Sequence, residues 1–148
     1  MSRFVQALLS GVFFTFILDF FIFLGIQKNY IDFYEIDLYY NILFADNQNI
    51  YIFASVSLIL GIIITYINNR KISVIFIGTL FILSVSTLIP KVGYLVGEKM
   101  FSIKNTILKD SRFTYNGDIY YKGRKKITMY DYELKKVITL QKKDLKND

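Results

Sequence analysis

The run Phe4–Ile26, FVQALLSGVFFTFILDFFIFLGI, holds one charged side chain, Asp19, in 23 residues. A stretch so long and so apolar crosses a bilayer as a helix, because about 20 residues at 1.5 Å each match the hydrocarbon thickness. Met1-Ser2-Arg3 gives its start a likeness to a secretory leader. The run outlasts the apolar core of a leader, about 7–15 residues, and no small-x-small cleavage pattern follows it. We read it as an uncleaved anchor and the first transmembrane helix.

Two further uncharged runs follow, Ile50–Ile67 and Ile72–Ile89, separated by the polar turn Asn68-Asn69-Arg70-Lys71. Pro90 lacks the amide that would close a helical hydrogen bond, so the third span is expected to break near 90 and to continue to about 97. Gly93 and Gly97 are read as a flexible exit from it, with a close-packing helix face as the alternative. Between the first two spans lie four acids and six aromatics. Asp32, Glu35, Tyr39 and Asp46 share a helical face, so a short helix lying in the interface is expected over 30–45, with an aromatic-rich loop as the rival.

From about residue 100 the composition turns to Lys, Tyr and Thr. Asn116-Gly117 between Arg112–Tyr115 and Asp118–Tyr121 is a strong hairpin signal, because both turn positions need positive φ. Gly123 sets off a strand over Arg124–Tyr130, and a turn at Asp131–Leu134 leads into Lys135–Gln141. Ile127/Met129 and Ile138/Leu140 alternate with polar residues as half-buried strands do. Lys142–Asp148 is expected to fray. The fold class expected is therefore membrane all-α over 1–99, with three transmembrane helices (about 4–26, 50–67 and 72–97) and an interfacial helix between the first two. A small C-terminal antiparallel β domain of three or four strands covers 100–148. So small a domain is expected to lean on the membrane part, on another copy or on a partner.

Within the first span Ala7, Gly11, Thr15 and Asp19 recur every fourth residue, and Ser57, Gly61 and Thr65 repeat the stripe in the second. Small residues at that spacing let helix backbones approach closely in lipid. Aligning the two spans at their shared end pairs Asp19 with Ser57, Thr15 with Gly61 and Gly11 with Thr65. Asp19 then lies about 10 Å below the interface. Ser84 of the third span reaches the same depth, and Lys91 at the interface could turn inward toward the carboxylate. A carboxylate in hydrocarbon costs about 2.5–3.5 kcal/mol even on lenient scales, so Asp19 should be protonated or paired. Polar glue between helices is one reading of that cluster, and a protonatable site in an ion or proton path, or a contact to an acid-recognising partner subunit, is the other.

With no His and no Cys, the commonest metal ligands and the thiol nucleophile are missing. No cofactor or metal site and no hydrolase or kinase signature is read in the chain, which is taken as non-enzymatic. Residues 1–90 carry four basic and five acidic side chains, against fourteen and seven in 91–148. A basic tail beside a membrane points to anionic lipid or an acidic partner rather than to nucleic acid. The cluster Lys122–Lys126 is accordingly read as a solvated hairpin face. Arg3 and the short basic turn Arg70-Lys71 place the N-terminus in the cytoplasm and the β domain outside, although the tail's own charge argues the other way.

The Lys, Ile, Asn, Tyr and Phe bias suggests an AT-rich bacterial coding sequence. The functional expectation is an accessory or assembly subunit of a bacterial inner-membrane complex, meeting membrane lipid and a protein partner through the β domain. Association with further copies is left open. The rivals are a component of a transporter or ion-driven machine using Asp19, an immunity-type protector against a pore-forming toxin, and a basic tail held on the cytoplasmic membrane surface.

Overall fold

The computed structural model describes residues 2–67 and 69–145; Asn68 of the expected turn and 146–148 of the expected frayed end lie outside the described residues. Among the described residues five α-helices precede a four-stranded antiparallel sheet. Helix α1, Arg3–Ile26, is capped by the Ser2 hydroxyl, which accepts from Val5 N–H. It runs straight into a π-helical turn, Gln27–Ile31. The combined Arg3–Ile31 helix, 29 residues, is long and apolar enough to cross a membrane.

The π turn ends in a Schellman arrangement, with Ile36 N–H on Ile31 O (3.1 Å) and Glu35 N–H on Asp32 O (3.1 Å). Glu35 takes the left-handed position of that motif with φ 53°. The expected interfacial helix over 30–45 is therefore divided. Its first part belongs to the end of α1, residues 36–39 are extended or irregular, and helix α2 covers Tyr40–Asn47.

Helices α3, Ile50–Tyr66, and α4, Arg70–Ser86, have 17 residues each. Asn49 and Asn69 cap them, each side-chain oxygen accepting amides of the first turn. Helix α5, Pro90–Phe101, follows the short break Thr87–Ile89. Proline sits at its first turn, where a missing amide does no harm and a preset φ helps. The break expected near 90 is an 86° bend, and α2 meets α3 at 84°. Each of these pairs is long and apolar enough to cross a membrane when its two arms are taken together, α3 and α4 by themselves having 17 residues each.

The helices meet through small residues. A Cβ on Gly11 would overlap the Ser57 carbonyl, and one on Gly61 would overlap that of Ala7, so α1 and α3 touch backbone to backbone. Gly93 and Gly97 form a packing face and not a flexible exit. Both are buried, Gly93 against the Thr87 carbonyl and the Gly25 carbonyl, Gly97 against the Tyr30 ring. A side chain at either position would drive α5 off the end of α1.

The sheet is a meander in the order β1 (Ile103–Lys109), β2 (Thr114–Lys122), β3 (Lys126–Asp131), β4 (Lys136–Gln141). The hairpin expected at Asn116-Gly117 is not formed. Both residues lie inside β2, paired with Ile107 and Thr106, and the reversal falls at Asp110–Phe113. Gly117 serves the sheet through its missing Cβ, which would overlap the Tyr130 carbonyl. The reversals after Gly123 and at Asp131–Leu134 lie where expected, the second held by Asp131 Oδ1, which accepts from Glu133 and Leu134 N–H. One face of the sheet closes on Ile119, Ile127 and Met129, packed by Leu108, Ile138, Leu140 and Leu145. A single bridge from Asp110 to Leu145 draws the two outer strands toward each other.

Gly11→Ala should weaken the α1–α3 pair by about 1–3 kcal/mol, the usual range for overpacking. Gly78→Ala in α4, where nothing lies within 4 Å, should be neutral or slightly stabilising. Unfolding of the purified protein in mixed micelles compares the two.

Candidate functional site

The expected polar cluster is distributed differently. Asp19, half-buried, accepts from Gln48 Nε2 (3.0 Å) at the corner between α2 and α3. Ser57 instead lies against Gly11, and its buried hydroxyl has no hydrogen-bond partner. Gly61 faces Ala7 and not Thr15; Thr15 bonds back to Gly11 O within its own helix (2.8 Å). Thr65, expected opposite Gly11, has a buried hydroxyl that also lacks a partner. The pairing has moved eight residues along α1, from Thr15 to Ala7 opposite Gly61, or about 12 Å.

Ser84 does reach α1, donating to the Leu18 carbonyl next to Asp19. Thr87 donates to Phe21 O (3.0 Å), and Asn29 Nδ2 returns to Thr87 O (2.9 Å) and Leu88 O (3.2 Å). The bend between α4 and α5 is fastened to α1 in this way, its freed carbonyls satisfied by a side chain. Lys91 is exposed on the first turn of α5 and makes no ion pair with Asp19.

What the fold does concentrate is a joint between the helices and the sheet. Phe23, Ile26, Tyr30, Ile31, Ile36, Leu43 and Tyr121 form one buried core, so the sheet shares its interior with the upper end of α1. A register shift between Ile119 and Tyr121 makes Tyr120 an extra residue in β2. This bulge turns two consecutive tyrosines toward the helices, which regular alternation forbids. Tyr120 stacks on Tyr34 with ring centroids 3.8 Å apart, and its carbonyl accepts from the Tyr30 hydroxyl (2.9 Å). The Tyr121 hydroxyl accepts from Asn47 Nδ2 (3.2 Å). The Tyr34 and Tyr94 hydroxyls share a 2.6 Å hydrogen bond.

Beside this joint a cleft of about 680 Å³ opens between the 35–46 segment and the β2–β3 turn. Its acidic wall holds Glu35, Asp37 and Asp46, its basic wall Arg124, Lys125 and Lys126. Arg124 pairs with Asp46, whose side chain is nearly buried, and Lys126 pairs with Asp37 (3.4 Å). The cations of the basic cluster are exposed, as expected of a solvated face, and two of them also pair with acids before and within α2. The consecutive Tyr120-Tyr121 in an otherwise alternating strand was the available hint of the joint. Nothing local marks Asn47 or Asp46 as its partners. Among the described residues no group of acids is placed to hold a metal ion.

Comparisons with protein-family models, with curated proteins and with solved structures find no match for the chain.

Burial first, then the hydrogen bond with Tyr94, raises the Tyr34 phenol above its ordinary value near 10. A raised phenol favours the folded state as long as unfolded tyrosine is protonated. That contribution is complete below about pH 10 and fades as the pH climbs further. Alkaline titration followed by near-ultraviolet circular dichroism should show loss of the aromatic signal above that pH, and Tyr34→Phe should lessen the alkaline loss. Asp19→Asn retains an acceptor for Gln48, so it should change stability by less than about 1 kcal/mol; thermal unfolding in detergent measures it.

Proposed function

We propose that this protein is a non-enzymatic accessory subunit of a bacterial inner-membrane complex, which fixes a small β unit at the membrane surface for contact with a partner. One observation carries the reading: the sheet is clamped to the helices through a shared core, and each outer strand keeps one free edge, with apolar side chains exposed among its lysines. The outer strands β1 and β4 each pair on one side only, apart from the Asp110–Leu145 bridge. Ile107, Phe113, Leu134 and Val137 stand exposed along them and their turns. Unpaired edges with apolar side chains accept a partner's strand or surface.

The membrane placement in this reading has three crossings. The exposed apolar side chains of α1 run from Phe4 to Phe20, and those of α3 and α4 occupy helices of 17 residues each. A length of 17 residues gives about 25 Å, the lower end of what spans a bilayer. The near-right-angle bends then lay α2 and α5 along the surface, with exposed Phe33, Tyr39 and Tyr51 near the headgroups. Arg3, Arg70 and Lys71 face the cytoplasm and the sheet faces outward. On this placement Asp19 belongs to the rim of the span, where its bond to Gln48 favours polar glue over an ion path.

Blue-native electrophoresis of gently solubilised membranes should find the full chain in an assembly larger than itself. Phe113→Asp and Val137→Asp should weaken that assembly by about thirtyfold if either is an anchor worth about 2 kcal/mol. Migration of the wild-type chain at its own mass with lipid would overturn the proposal.

A further inference from the structure

The cleft beside the joint has a charge pattern of its own. Three acids face three cations across it, so the lining sums to zero, and two of the three pairs are already closed, Arg124 to Asp46 and Lys126 to Asp37. What remains is one exposed cation, Lys125, and one exposed anion, Glu35, with no ion-pair partner among the described residues. The cleft is also lined by Ile36, Leu38, Ile42, Ala45 and Tyr121, with polar Asn41, Thr128 and Thr139 beside them. A volume of about 680 Å³ is in the range of sites that hold small molecules. A ligand with charge of one sign would gain from one wall and lose at the other. One with both signs on an apolar stem satisfies both walls at once.

We propose that this cleft seats the headgroup of a zwitterionic aminophospholipid, with its phosphate on Lys125 and the outer face of Arg124, and its ammonium on Glu35. The inference rests on the membrane placement above, in which the 84° corner between α2 and α3 brings the cleft to headgroup depth. Lipid is the amphiphile present there at high concentration, and its glycerol and upper acyl carbons match the apolar part of the lining. A primary ammonium donates hydrogen bonds to the Glu35 carboxylate, as a lysine ammonium does, whereas a quaternary ammonium has no N–H to give. A glycerol headgroup offers the phosphate but no cation for Glu35. The site therefore selects phosphatidylethanolamine over both phosphatidylcholine and phosphatidylglycerol.

The test uses the full chain, delipidated in detergent and incubated with equal amounts of these three lipids, with bound lipid counted by native mass spectrometry. Phosphatidylethanolamine should be retained about tenfold over either competitor, the ratio for one charge-assisted hydrogen bond of about 1.4 kcal/mol. Glu35→Gln should erase the preference over phosphatidylcholine and phosphatidylglycerol, and Lys125→Ala should lower retention of all three. Near-ultraviolet circular dichroism checks that each variant keeps the aromatic joint. Equal retention of the three lipids by the wild-type chain, or a preference for phosphatidylglycerol, overturns the proposal, the latter result meaning that the cations act alone. Alkaline carbonate extraction of native membranes separates the two levels: release of the chain defeats the membrane placement itself, whereas a retained chain without lipid preference defeats only the headgroup site.

Discussion

Helix α1 is longer than the helices packed on it. With its π turn it has 29 residues, against 17 each in α3 and α4, a difference of 12. Something other than α3 and α4 must cover the apolar residues of that extension, Phe23, Ile26 and Ile31 among them, and Tyr30. Helix α2, helix α5 and β2 do so, and the side chains they cover (Phe23, Ile26, Tyr30 and Ile31) are buried, the last three completely. The β unit is held because it completes that cover. A sheet of about 40 residues gains in this way a core it could not supply alone.

The cover is possible because backbones come close at a few places. Gly25, Gly93 and Gly97 let α5 lie against the end of α1, and the Thr87 and Asn29 side chains satisfy the polar groups that the bend would otherwise leave bare. Gly11 and Gly61 do the same lower down. The tyrosines then act at the boundary, where a ring fills apolar space and a hydroxyl finds a carbonyl or an amide. The resulting joint and the cleft beside it come from residues far apart in the chain, Asp46 and Arg124 among them.

Several features of this arrangement are legible in the amino-acid order and several are not. The apolar runs mark the helices because their composition acts locally. Pro90 marks the bend, since its missing amide is a local fact. The stripe Ala7-Gly11-Thr15-Asp19 announces a helix contact but cannot fix its register. A motif repeating every four residues fits its partner equally well after a slide of four or eight. The slide that occurs, placing Gly61 at Ala7, leaves room for α2 beside Phe16, Phe20 and Phe23. Asn116-Gly117 misled for a related reason. A turn propensity of this kind is worth little against a ladder in which the glycine's missing side chain admits the neighbouring strand.

The sequence by itself determined which segments are apolar, where they break, and that a basic, tyrosine-rich β unit follows them, because each of these depends on neighbours along the chain. Tertiary structure alone decided the pairing of Asp19 with Gln48 in place of Ser57, and the meeting of the Lys122–Lys126 cluster with the acids before and within α2. Those depend on how one helix slides past another and on a one-residue bulge in β2. Both are settled by which surfaces remain uncovered once the whole chain has packed.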